Sequence, residues 1–188
     1  VSGKRMIEAV VSGYEILSAI ARGIQPSSHF GRGFHAQGSG GPFASAAVTG
    51  VLLGQDVPTL ANTFSLAASH AGGIMEYANT GGSVKRLHAG LAAMGGVRSA
   101  FLSQLGWTGP PTAIEGKRGF CAAFAQEYNI EAITRDLGAK FACPGTIIKP
   151  YSCNANITPA IDALKAVLAE NPLTSKDVEA IEVYTSSR

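Results

Sequence analysis

Pro42-Phe-Ala-Ser-Ala-Ala-Val-Thr-Gly-Val-Leu-Leu-Gly54, followed after Gln55 by Asp56-Val-Pro58, decides the fold class. Proline is tolerated in the first turn of a helix, where its missing N–H costs little, and glycine ends one readily. Between them Phe43, Ala46, Ala47, Val48, Val51 and Leu52 supply an apolar surface. A second helix then begins with Asp56 as its cap and Pro58 in its first turn, and extends to about Gly72 through Leu60, Phe64, Ala67, Ala68 and Ala71. Small side chains on both helices let their axes approach closely. An all-helical core follows from this pair.

Upstream, Met6, Ile7, Val10, Val11, Tyr14, Leu17 and Ile20 recur at three- and four-residue steps. They predict a helix from Lys4 to Arg22, with Gly23 as a left-handed stop. Residues 23–42 read as a glycine-rich loop. Downstream, a polar loop from Asn79 to His88 precedes a helix over Ala89–Leu105, ended by Gly106-Trp-Thr-Gly-Pro-Pro111. The texture then changes. Short helices are expected over Gly119–Glu127 and Ile130–Leu137, a β-branched segment over Gly145–Tyr151, and a longer helix from Thr158 to Glu170. Val178–Tyr184 alternates like a strand that stops at Thr185, and its partners would be Gly145–Tyr151 or sequence outside this chain. The reading is mainly α: an all-helical domain over 1–110, packed with the start of a smaller α+β domain over 111–188.

The chain has 188 residues, 15% of them charged, with a net charge of +2. So small a charge offers no phosphate-tracking surface, which argues against a nucleic-acid partner. No run reaches the ~18 apolar residues of a membrane span, so no membrane partner is expected. Cys121, Cys143 and Cys153 are odd in number and irregularly spaced. They read as reduced thiols of a cytoplasmic protein rather than a disulfide framework or a zinc site. His29 and His35, six apart without acidic company, give no metal pattern either. The chain starts with Val1 rather than Met, as an excised or processed piece would.

Between Ile16 and Ile114 only Asp56 and Glu76 oppose Arg22, Arg32, Lys85, Arg86 and Arg98. A cleft of that sign concentrates anions. Lys85-Arg86-Leu87-His88 places three basic side chains just before a helix start, whose free N–H groups favour an anion. His35 lies in the glycine loop and serves either as a structural hydrogen-bonder or as an acid–base group near neutrality. Lys149 follows an apolar run, so part of its stem is expected to be buried, and a bound carboxylate would suit its ammonium. His70, on the alanine-rich helix, reads as a core or interface histidine.

Gly13-Tyr-Glu-Ile-Leu-Ser-Ala-Ile-Ala21, Gly33-Phe-His-Ala-Gln-Gly-Ser-Gly-Gly-Pro-Phe43, Val84-Lys-Arg-Leu-His-Ala-Gly90 and Ile148-Lys-Pro-Tyr-Ser-Cys153 with Pro159-Ala-Ile-Asp-Ala163 occur in this order. Together they strongly resemble the MmgE/PrpD family, whose members include 2-methylcitrate dehydratase, cis-aconitate decarboxylase and iminodisuccinate epimerase. The resemblance implies a helical domain with an α+β lid, a homodimer, no metal or organic cofactor, and a di- or tricarboxylate substrate. By position, it makes His35 the proton-transfer residue and Lys85 and Lys149 carboxylate clamps. Arg86, His88 and Tyr151 become further substrate binders. The reaction it favours is dehydration of 2-methylcitrate or a related hydroxy-tricarboxylate. The alternatives are a decarboxylase, an epimerase, or a non-catalytic relative that only binds carboxylates or oligomerises. Asn154 and Thr158 stand where relatives often carry histidines, and family chains are considerably longer.

Overall fold

A computed structural model describes residues 1–184, and it is mainly helical. Helix α1 (Gly3–Gly23) is capped by the Ser2 hydroxyl, which accepts from the Arg5 amide at 3.2 Å. Its last residue is glycine for a different reason from the one expected. Gly23 does not take a left-handed conformation, but a Cβ there would lie 2.3 Å from Ile133 Cγ1. The expected loop over 23–42 contains two short helices, α2 (Pro26–Gly31) and α3 (Ala36–Ser39).

Helix α4 (Gly41–Leu53) ends at Gly54, which does adopt a left-handed conformation, with φ 69°. Helix α5 (Val57–Ala68) starts where Asp56 accepts from the Thr59 amide at 3.0 Å. After α6 (Tyr77–Thr80), helix α7 spans Val84–Gln104 and so begins a turn earlier than expected. Lys85, Arg86 and His88 therefore lie within its first turns rather than ahead of them.

Helix α4 packs against α1, α5 and α7. The α4–α7 contact is backbone on backbone: a Cβ on Gly96 would lie 2.4 Å from the Ala46 nitrogen and 2.5 Å from the Pro42 oxygen. Helices α5 and α7 are tied by a polar cluster of the buried Thr63 and Ser103 hydroxyls with the half-buried Gln55. The Gln55 amide nitrogen donates to the Ala100 carbonyl at 2.9 Å, and the Thr63 hydroxyl donates to the Gln55 amide oxygen at 2.8 Å.

Residues beyond Pro111 join this core. Phe120 and Cys121, on α8 (Phe120–Phe124), are buried with Ile20, Phe43, Ala46 and Ala67, and the Phe43 and Phe120 rings meet edge to face at 4.8 Å. Burial, with the Glu115 charge adding to it, pushes the Cys121 thiol up to about 11, so it is inert at neutral pH. The expected helix over Ile130–Leu137 shrinks to α9 (Glu131–Thr134), because Asp136 takes a left-handed φ of 63°.

The buried carboxylate of Glu15 on α1 then captures the chain. The Ala142 amide donates to its two oxygens at 2.8 and 2.9 Å, and the Cys143 amide donates to Oε1 at 2.9 Å. The first compact unit accordingly runs from Val1 to Gly145, so residues 111–145, grouped by sequence with the second domain, pack with the helices. Glu15→Ala leaves two amides without an acceptor. It is expected to cost about 1–3 kcal/mol and to open residues 139–145 to proteolysis, measured by urea unfolding and limited digestion.

The second unit begins at Thr146 and contains α10 (Thr158–Glu170), placed as the sequence predicts. Among the described residues no strand forms. Neither 145–151 nor 178–184 meets a ladder partner, and unpaired chain cannot satisfy its backbone as sheet. The expected stop at Thr185 lies outside the described residues. No described helix is long and apolar enough to cross a membrane.

Candidate functional site

Glycines build the site's frame. Residues 33–38 run antiparallel to 72–75: the Met75 amide donates to the Gly33 carbonyl at 2.8 Å, that of His35 to Gly73 at 2.9 Å, and that of Gly72 to Gly38 at 3.2 Å. Phe34 and Ile74 form the bridge between them. The chains touch closely enough that a Cβ on Gly38 would lie 2.6 Å from the Gly72 oxygen. Gly73 adopts φ 86°, and a Cβ there would press on the His88 imidazole at 3.2 Å. This ladder fixes His35 at the start of α3 and carries the chain on to Tyr77.

His35 and His88 are both buried, and their Nδ1 atoms lie 2.9 Å apart. One nitrogen must donate and the other accept, so the pair shares a single proton across that contact. The Tyr77 ring meets both imidazoles edge-on, at 5.4 Å from His35 and 5.8 Å from His88. Lys85, one helical turn before His88, sets its Nζ over the same ring at 5.6 Å. Arg86, about 100° further round the helix, is exposed.

Burial, first, and the cost of placing a second positive charge beside His88 and Lys85, next, hold the His35 imidazole below its ordinary value, although a hydrogen bond with Gln37 opposes them. His35 is therefore neutral at pH 7, able either to take a proton or to relay one. Burial raises the Tyr77 phenol, which stays protonated.

Lys149 and Tyr151 lie in the second unit. Lys149 is exposed and donates to the Cys153 carbonyl at 2.9 Å, while the Tyr151 hydroxyl donates to Asp162. The preceding apolar run is not a burial signal, since Ile147 and Ile148 are 83% and 91% exposed and no element of their own unit covers them. The structure thus brings His35, His88 and Lys85 together within the first unit.

Sequence reasoning missed Tyr77, which no motif spacing marks, and set His29 aside with the absent metal pattern. His29 is fully buried. Its Nδ1–H donates to the Phe124 carbonyl at 3.0 Å, leaving Nε2 to accept from the Ser39 hydroxyl at 2.8 Å. His70 packs against Gly95 of α7.

Burial holds His29, His35 and His70 all below their ordinary value. The unfolded chain therefore binds protons first as the pH falls. Their contribution to stability is intact above about 6.5 and is lost as the pH drops from there toward the folded values. Urea midpoints are expected to fall between pH 7 and 5, with a shallower fall in His29→Gln. Equal slopes in the two proteins would contradict this account.

A profile of the MmgE/PrpD N-terminal domain matches residues 1–133. The cis-aconitate decarboxylase-like protein oryM of Aspergillus oryzae is 27% identical over 179 residues, covering 92% of this chain and 37% of that protein. The cis-aconitate decarboxylase of Aspergillus terreus is likewise 27% identical, over 92% of this chain and 36% of its own length. The Homo sapiens cis-aconitate decarboxylase is 31% identical over 124 residues, 66% of this chain and 25% of the human protein. The chain spans little more than a third of the length of the curated relatives it matches.

Proposed function

The chain belongs to the MmgE/PrpD family, and from that premise we propose that it supplies the proton-transfer half of a lyase acting on a small tricarboxylate. One observation carries the reading: a buried imidazole pair sharing one proton, with an ammonium a single helical turn away. Lys85 binds a carboxylate and Arg86 adds positive charge at the approach. His35 moves the proton, with His88 compensating the charge it gains or loses.

Within this class, decarboxylation of cis-aconitate is favoured, because the relatives reported above carry that name. As CO2 leaves, the electron pair left on carbon takes up one proton, which the imidazole pair can relay. His35 gives up one ring proton as it receives another through His88, and solvent replaces the proton that leaves the pair. Dehydration of 2-methylcitrate or a related hydroxy-tricarboxylate is the second reading. It needs one proton removed beside a carboxylate and one delivered to the departing hydroxyl, and a proton-sharing pair suits that exchange. Lys149 and Tyr151 enter as further substrate contacts through motif likeness alone, and Lys149→Ala tests that part.

The test uses the polypeptide carrying this sequence. Cis-aconitate should release CO2; under the second reading, 2-methylcitrate should instead give rising absorbance from a new conjugated double bond. Turnover of neither acid, with citrate binding still seen by calorimetry, would replace the lyase with a carboxylate-binding protein.

A further inference from the structure

We propose that Tyr77 is a positioning residue whose ring holds the Lys85 ammonium beside the His35–His88 pair and shields that pair from water. The inference rests on the reading of His35 and Lys85 as the acting groups and adds a residue that no motif marks. Tyr77 meets three of the site's side chains at once: the two imidazole rings at 5.4 and 5.8 Å, and Lys85 Nζ at 5.6 Å from its centroid.

The ring stands nearly perpendicular to His35, at 77°, and steeply to His88, at 64°. Such edge-on packing fixes the plane of each imidazole without taking up its ring nitrogens. Lys85 lies exposed at the first turn of α7, and a lysine there samples many rotamers unless something holds it. The ring does so, since an ammonium within ~6 Å of an aromatic centroid is attracted by its quadrupole. The short helix α6 has no buried residue, so Tyr77 is not needed to fill the core.

The groups facing His35 are His88 and Lys85 from α7, Tyr77 from α6, His29 from α2, and Gln37 on its own helix α3. Removing the Tyr77 ring lets water reach His35 and lets Lys85 swing away. Both changes favour the imidazolium, so they push the His35 titration in the same direction.

The test is a pH titration of His35 by NMR in the whole chain carrying isotope-labelled histidine. Tyr77→Leu is expected to raise the His35 midpoint by on the order of 0.5 pH unit. Tyr77→Phe, which keeps the ring, should leave it at the wild-type value. Lys85→Gln alone should also raise the midpoint, and together with Tyr77→Leu it should give less than the sum, because the ring acts partly through the lysine. Additive shifts, or an unmoved midpoint in Tyr77→Leu, would overturn the proposal.

One reading needs no variant. The Lys85 ε-methylene protons of the wild type should be shifted upfield by the ring current, and ordinary lysine shifts there would overturn the proposal even if Tyr77→Leu failed to fold. None of these readouts uses turnover. Their failure would remove Tyr77 from the site and leave the lyase reading standing, while missing turnover with the shifts present would do the reverse.

Discussion

Turnover by the polypeptide carrying this sequence is expected to fall roughly 10²–10⁴-fold when His35 is replaced by alanine, the range typical for losing a positioned acid–base group. The loss should fall on kcat, with KM changed little, because His35 makes its decisive interaction while the proton is moving rather than when the acid first binds. Lys85→Ala should show the other pattern, a raised KM, since a carboxylate clamp serves bound substrate and transition state alike. Steady-state rates on cis-aconitate and 2-methylcitrate measure both. Comparable KM effects from the two variants would mean that His35 only binds. His88→Ala should fall between them, because it leaves His35 in place but removes the partner 2.9 Å away.

The largest stability effect is expected inside α7, with opposite signs at two glycines of one helix. Glycine in a helix interior costs roughly 0.5–1 kcal/mol relative to alanine, so Gly90→Ala, with nothing within 4 Å of the added methyl, should stabilise by about that much. At Gly96 the same methyl would meet the Ala46 nitrogen and the Pro42 oxygen at 2.4 and 2.5 Å. Those are α4 backbone atoms, which cannot rotate aside as a side chain does. Gly96→Ala should therefore destabilise by about 1–3 kcal/mol, and Gly96→Leu by more, by forcing α4 and α7 apart. Urea unfolding of the three variants checks this. Stabilisation by Gly96→Ala would mean that the two helices do not pack backbone to backbone.

Much of the helical frame was legible because its signals are local. Asp56 and Pro58 announce the start of α5, Gly54 the end of α4, and Thr158 the start of α10, each acting within a turn of itself. The same local logic misjudged Gly23, whose reason is a contact with Ile133 more than a hundred residues away. It also suggested a strand over 178–184, since alternation resembles sheet whether or not a partner exists. At the site, His35 and Lys85 could be named from motif likeness, and His88 came with them. That His35 and His88 touch through Nδ1 could not be read, because nothing in a loop at residue 35 and a helix at residue 88 sets their separation.

By itself, then, the amino-acid order determined the helices of the core, the small-residue surfaces that let them close, and the family. Only the tertiary structure decided that residues 111–145 close the first unit under the Glu15 carboxylate, and that Tyr77 and Lys85 gather around a shared proton. Caps, breakers and periodicity act over a few residues of contiguous chain. A hydrogen bond between side chains 53 residues apart exists only once the intervening helices have packed and fixed where each backbone stands.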